Sequence, residues 1–247
     1  MAADLGVRVS PLNALLVRVG ADQSLVGGMW NGLVNARLGT FVYVPIPEAQ
    51  PLYPGLEKPY SNLDPILSVF GRPLPAHLCQ RHMHLDPDFD HLTYGDKGQR
   101  AKQLVKHLSP SDLMVFYAGL SDVNGEKRLT YAIIGLFVVQ SLTLATTFSV
   151  DARDSNAHSR RILQPGADDL IVRAHPGVSG RLSRCIPIGE WRNRSYRVKE
   201  HLLAEWGGLS VTDGYLQRSA RLPRFTNPPR FLKWLEQMNP VLIQRNN

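Results

Sequence analysis

Between Asp112 and Leu142 the chain carries two apolar segments, Leu113–Ala118 and Leu129–Leu142, on either side of a polar turn, Asp122–Arg128, that contains Asn124-Gly125. An Asn-Gly pair accepts the positive φ angles of tight hairpin turns, and β-branched and aromatic residues dominate both flanks. A long β-hairpin is the consequence, with Phe116, Tyr117, Tyr131 and Phe137 expected in the core. Further strands are expected at Ala14–Val19, Thr40–Val44, Leu170–Ala174 and Cys185–Ile188. Lys97–Leu108 sets Ala101, Leu104, Val105 and Leu108 at helical spacing, and Pro110 ends that helix. Val198–Trp206 reads as a helix closed by Gly207-Gly208. A last helix starts after Asn227 and Pro228-Pro229, turning Phe231, Trp234, Leu235 and Met238 inward. The proline-rich stretch from Glu48 to Pro75 reads as a long wrap-around loop with one helical turn near Leu63–Val69. The expected fold is α+β: a mixed, partly barrel-like sheet with flanking helices, forming a single compact domain over residues 1–247.

The chain's 247 residues, 43% of them hydrophobic, are enough to bury a core. The longest apolar run, Ala132–Val139, is far shorter than the roughly 20 residues a membrane-spanning helix needs. With no charged and apolar leader at its start, the chain is expected to be cytoplasmic, without a membrane partner. Cys79 and Cys185 lack Cys-x-x-Cys spacing, so neither a disulfide framework nor a thiolate zinc site is indicated. The sequence identifies no cofactor and no oligomeric state.

The net charge of +7 is unevenly placed. Residues 1–150 hold 12 Lys/Arg and 12 Asp/Glu, whereas residues 151–247 hold 16 against 9 and so carry the whole excess. In that second part only Lys199 and Lys233 are lysines. Arginine pairs with phosphate bidentately and stacks on bases, so the neutral N-terminal part and the Arg-rich C-terminal part together favour a DNA or nucleotide partner.

The densest group of chemically capable residues is His82–Asp96, with three of the eight histidines and four carboxylates. His82, His84 and Asp86 alternate, so on an extended strand they share one face, and Pro87 ends that strand. Such a group can hold a metal, run acid–base chemistry or hydrogen-bond a polar ligand. Equally, Asp86, Asp88 and Asp90 can serve as backbone-bonding turn residues. A calcium loop is excluded, because His91 stands where the tight-turn glycine belongs and Lys97 where the bidentate Glu belongs.

Other polar groupings lie outside this stretch. Asn156–Arg161 packs amide, imidazole, hydroxyl and two guanidinium groups into six residues, suited to a phosphate or carboxylate. Ser179–Arg184 and Trp191–Arg197 supply Arg181, Arg184, Arg192, Arg194 and Arg197, which with Arg160 and Arg161 are the candidate phosphate contacts. A glycine-punctuated loop after the first strand holds Asp22 and Trp30 but lacks the spacing of a Rossmann or P-loop motif.

Val17-Arg18-Val19-Gly20-Ala21-Asp22, Phe41–Glu48, His84-Leu85-Asp86-Pro87-Asp88 and Asp112–Tyr117 resemble, in that order, the nucleotide-modification-associated domain 3 group. Ser111 departs from the glycine expected before Asp112. The resemblance covers roughly residues 14–235 and implies a role in installing, processing or recognising modified bases in DNA. A looser likeness is to PUA-like folds of the EVE and ASCH types, which hold a flipped or modified base in an aromatic and polar pocket. That likeness implies a base pocket drawn from Trp30, Tyr117, Asp22 and His84, and Asn156 of the polar Asn156–Arg161 segment is a further pocket candidate.

Two functions follow. In the first, a polar and aromatic pocket receives a modified base while the Arg-rich part follows the phosphates. In the second, Asp22, His84, Asp86, Asp88 and His158 provide acid–base groups or metal ligands to an enzyme acting on a nucleotide or DNA base. Known signatures do not decide between them. The zinc deaminase pattern is absent, and Gly177-Val178-Ser179-Gly180 misses the Gly-x-Ser-x-Gly elbow by one residue.

Overall fold

The computed structural model describes residues 11–125, 127–217 and 219–247. In chain order the elements are β1 (Ala14–Arg18), β2 (Leu33–Asn35), β3 (Thr40–Phe41), β4 (Ile46–Pro47), α1 (Asp64–Val69), β5 (Met83–His84), β6 (Thr93–Asp96), α2 (Gly98–His107), β7 (Leu113–Asp122) and β8 (Thr130–Leu144). They continue with α3 (Ala157–Arg160), β9 (Leu170–Ala174), β10 (Gly180–Pro187), β11 (Gly189–Arg192), β12 (Ser195–Val198), α4 (Glu200–Trp206), α5 (Pro228–Gln237) and β13 (Leu242–Ile243). The fold is α+β, built on a strongly curled half-barrel sheet.

The hairpin is its spine. β7 and β8 pair antiparallel from Leu113 opposite Val138 to Leu120 opposite Thr130, while β1 and β2 lie parallel along the two ends of β7. The first part of β8 also pairs with β10; beyond a register shift between Val139 and Ser141 its last residues pair with β9. Further shifts fall at Phe116/Tyr117 and Arg181/Ile186. Each irregularity bends the strand and increases its twist, which curls the sheet. β9 then pairs with β6, so the Arg-rich part of the sequence and the neutral part share one sheet.

Side chains alternate across β7. Met114, Phe116, Ala118 and Leu120 face one cluster with Tyr43, Phe89 and Phe137; Leu113, Val115 and Tyr117 face another built on Trp206, Phe231 and Trp234. Both faces are covered, which explains why the hairpin reads as continuous apolar runs. A third cluster seats Tyr60, Leu63, Leu67 and Leu78 of the proline-rich loop against Val42 and Val44. Gly135 sits opposite Phe116, and a Cβ there would overlap the Phe89 ring and crowd the Gly180 carbonyl.

Several expectations need correction. Thr40–Val44 is a strand only at Thr40–Phe41, paired with β2; Tyr43 exchanges its backbone hydrogen bonds with the side-chain amide of Asn247 instead of a neighbouring strand. Ser179–Arg184 belongs mainly to β10, which begins earlier than Cys185. In α2 the buried residues are Ala101 and Leu104, followed by buried Leu108 just past the helix end, while Val105 is exposed. Met238 follows the last residue of α5 and is exposed, while Phe231, Trp234 and Leu235 are buried and Asn227 caps the helix by accepting from the Arg230 N–H. β5 is too short for His82, His84 and Asp86 to share a face: His82 is exposed, and His84 and Asp86 turn inward. Among the described residues no helix is long and apolar enough to cross a membrane.

Candidate functional site

The pairing of β4 with β5 places Glu48, just past β4, beside His84. The pairing of β6 with β9 places Gly95 beside the residues that follow Asp169, with α3 packed against β6. These two junctions enclose a cavity of about 330 Å³ whose floor includes His84, Asp86 and His158 and whose walls include Arg18, Lys97 and Arg100.

Each imidazole is oriented from behind. His84 Nδ1 lies 2.6 Å from Glu48 Oε2, and His158 Nδ1 lies 2.5 Å from Asp169 Oδ1. Arg161 joins the two carboxylates, donating from Nη2 to Glu48 Oε1 at 3.0 Å and from Nη1 to Asp169 Oδ1 at 3.5 Å. Burial alone would raise the Glu48 carboxyl, but the hydrogen bonds and charge of His84 and Arg161 outweigh it and hold the group at about 2. Asp169 is also lowered: burial opposes the shift, and the hydrogen bond and charge of His158, with Arg161, overcome it. Ionised carboxylates only accept hydrogen bonds, so each imidazole donates from Nδ1 to its carboxylate and turns Nε2 to the cavity. Desolvation brings His84 down to about 4, consistent with a neutral ring near pH 7.

Asp86 closes the group. Its Oδ1 accepts from the Gly95 N–H at 2.7 Å and from Asn156 Nδ2 at 3.1 Å. Its Oδ2 faces His84 Nε2 at 4.0 Å and His158 Nε2 at 3.8 Å. Burial pushes this carboxyl well above the usual range, despite the hydrogen bonds from Gly95 and Asn156. Asn156 also caps α3 by accepting from the His158 N–H at 2.8 Å, so one amide positions both Asp86 and His158. The three donor atoms lie within 4.8 Å of one another, a grouping that one cation can touch.

The structure thus brings together His84, Asp86, His158, Asn156 and Arg161 from the residues singled out in sequence, and sets Asp22 on the cavity wall. It does not bring Asp88 there. Asp88 is buried on another side, bonded by Arg160 Nη2 at 2.6 Å and by His91 Nδ1 at 3.1 Å, while its Oδ1 accepts from the Asp90 and His91 N–H groups. The turn-building role holds for Asp88, whereas Asp86 two residues earlier enters the cavity. Arg160, almost fully buried, is engaged by Asp88 and Asp154, and Arg181 is buried over the Phe41 ring. Arg192 and Arg197 bind Asp213, whereas Arg184 and Arg194 are exposed. Trp30 lines a separate cavity with Leu33 and Arg72. Tyr117 is buried, donates to the Leu216 carbonyl, and borders an adjoining cavity that shares Arg18, Arg100 and Ser219 with the first.

Glu48, Asp169, Gly95 and Arg100 escape a reading of the sequence. Glu48 ends a Pro-Ile-Pro-Glu run and Asp169 precedes an apolar strand, but neither position has a periodicity that marks it as a partner for a distant histidine.

No curated protein and no solved structure matches the chain. The profile of the family described as nucleotide modification associated domain 3 matches residues 13–224, most of the chain and every residue of the cavity floor. The chain belongs to the nucleotide modification associated domain 3 family, and its role is linked to nucleotide modification.

Proposed function

We propose that this chain processes a modified base, either within DNA or in the corresponding nucleotide, and that the base enters the cavity above His84, Asp86 and His158. The observation carrying this reading is the convergence of three buried, chemically capable side chains on one cavity floor in a member of this family. A surface that only recognises a base needs shape and hydrogen bonds. Two imidazoles, each held at Nδ1 by a carboxylate, and a desolvated carboxyl group are instead equipped for proton transfer or metal-assisted attack.

Size limits the substrate. At about 330 Å³ the cavity is near the lower end of the roughly 300–1,000 Å³ typical of small-molecule sites. It suits a single nucleotide and not a duplex, so a base in double-stranded DNA must leave the stack to reach it. The adjoining cavity adds Arg221, Tyr215 and Gln217, and Arg224 and Arg230 are exposed on the same C-terminal part of the chain. These groups, with Arg184 and Arg194, are the proposed phosphate contacts; Asp22 is proposed to meet the base or sugar at the wall.

The test is incubation of the purified chain with modified nucleotides and with single- and double-stranded DNA carrying modified bases, followed by mass analysis of the nucleosides. A mass change lost in Asp86→Asn supports processing. Selective binding to a modified base with no mass change supports a reader instead.

A further inference from the structure

We propose that His84 Nε2, Asp86 Oδ2 and His158 Nε2 bind one divalent first-row transition-metal ion, with its remaining coordination positions open to the cavity. This deepens the reading of the cavity floor given above without depending on which base enters.

Hydrogen bonding provides the first argument. Each Nδ1 is engaged by a carboxylate, which leaves Nε2 as the ligand atom each imidazole turns to the cavity, and Asp86 Oδ1 is occupied by Gly95 and Asn156. Three electron-pair donors therefore face one another, and among the described residues no hydrogen-bond donor is directed at Asp86 Oδ2. Acceptors of this kind converge when a cation lies between them.

The second argument is charge. Glu48 and Asp169 both pair with Arg161, whereas among the described residues no guanidinium or ammonium group is paired with Asp86. A divalent ion between the three donors supplies the counter-charge that lets this desolvated carboxyl ionise.

The third is the shell behind the donors. A histidine that ligates a metal characteristically gives its other N–H to a carboxylate, which fixes the ring and makes the donor nitrogen more basic. Here both histidines do so, with separate carboxylates, and the amide of Asn156 ties the third donor to the helix that bears His158. Imidazole donors suit zinc, iron, cobalt or nickel better than magnesium or calcium, and two histidines with one carboxylate leave positions for water and substrate.

The experiment uses the full chain, stripped with a chelator and titrated with Co(II), followed by visible absorption and calorimetry. One ion per chain is expected, at micromolar affinity or tighter, with imidazole nitrogen ligands visible by X-ray absorption at the cobalt edge. His158→Ala is expected to weaken binding at least about 100-fold. Glu48→Gln and Asp169→Asn should each weaken it about 10- to 100-fold at unchanged stoichiometry. His91→Ala, away from the cavity, should bind as wild type does. A folded wild-type chain that takes up no Co(II) or Zn(II), or a cobalt edge without imidazole ligands, overturns the proposal even if His158→Ala does not fold. Nucleotide or DNA binding measured with the chelator present separates failure of the metal centre from failure of the base-pocket reading.

Discussion

Gly95 lies beneath the imidazole of His158, so close that a Cβ at position 95 would overlap the ring and press on Asn156 Oδ1. Its backbone N–H simultaneously donates to Asp86. The absence of a side chain on β6 is therefore what allows the helix bearing His158 to approach the carboxylate opposite it. Gly95→Ala is expected to cost about 1–3 kcal/mol by overpacking and to displace His158. Urea unfolding should show that modest loss, while Co(II) affinity and base processing should fall much further. Unchanged affinity would show that His158 is not held by this contact.

The Asp88–Arg160 pair predicts stability without direct involvement in chemistry. Both side chains are buried, and Arg160 Nη2 lies 2.6 Å from Asp88 Oδ2. Removing Asp88 leaves the buried Arg160 guanidinium with the more exposed Asp154 as its remaining acidic partner among the described residues, and takes their acceptor from the Asp90 and His91 N–H groups. Asp88→Ala should thus destabilise by about 3–5 kcal/mol, read as a lower urea midpoint, and Asp88→Asn by less. A midpoint within error of wild type would contradict the assigned network.

His91 predicts a pH dependence. Its hydrogen bond to Asp88 raises the imidazole above its ordinary value; desolvation opposes this, and the charge of Asp88 reinforces it. A raised folded-state value means that the stabilisation is fully present below about pH 6.5, the ordinary value for histidine, and is lost as pH rises through the folded-state value. His91→Gln should flatten this part of the stability profile in urea melts across pH 5–9. An equally steep decline in the variant would assign the dependence to another group.

Arginines that look alike in the sequence should separate by placement. Arg221 borders the adjoining cavity and is exposed, so Arg221→Ala should weaken nucleotide or DNA binding and reduce its salt dependence while leaving the unfolding midpoint nearly unchanged. Arg181 stacks on Phe41 and donates to the Arg245 and Leu182 carbonyls, so Arg181→Ala should lower stability without changing the salt slope of binding. Filter binding over a salt series with parallel thermal melts distinguishes the two.

Local order alone determined a good deal of this protein. The polar turn segment around Asn124-Gly125 and its long apolar flanks specify the hairpin, because turn residues and strand propensity act between neighbours in sequence. The same holds for the capped helix after Asn227. Only the tertiary structure decided which acidic residues enter the cavity. Asp86 and Asp88 are chemically identical and two positions apart, yet the first meets Gly95 and Asn156 while the second is neutralised by Arg160. His158, Glu48 and Asp169 reach the site through α3 packing, the β4–β5 pairing and the entry to β9, contacts between segments far apart in the chain. Such partnerships depend on where a curled sheet closes and which charges it desolvates. Residue spacing carries no record of either.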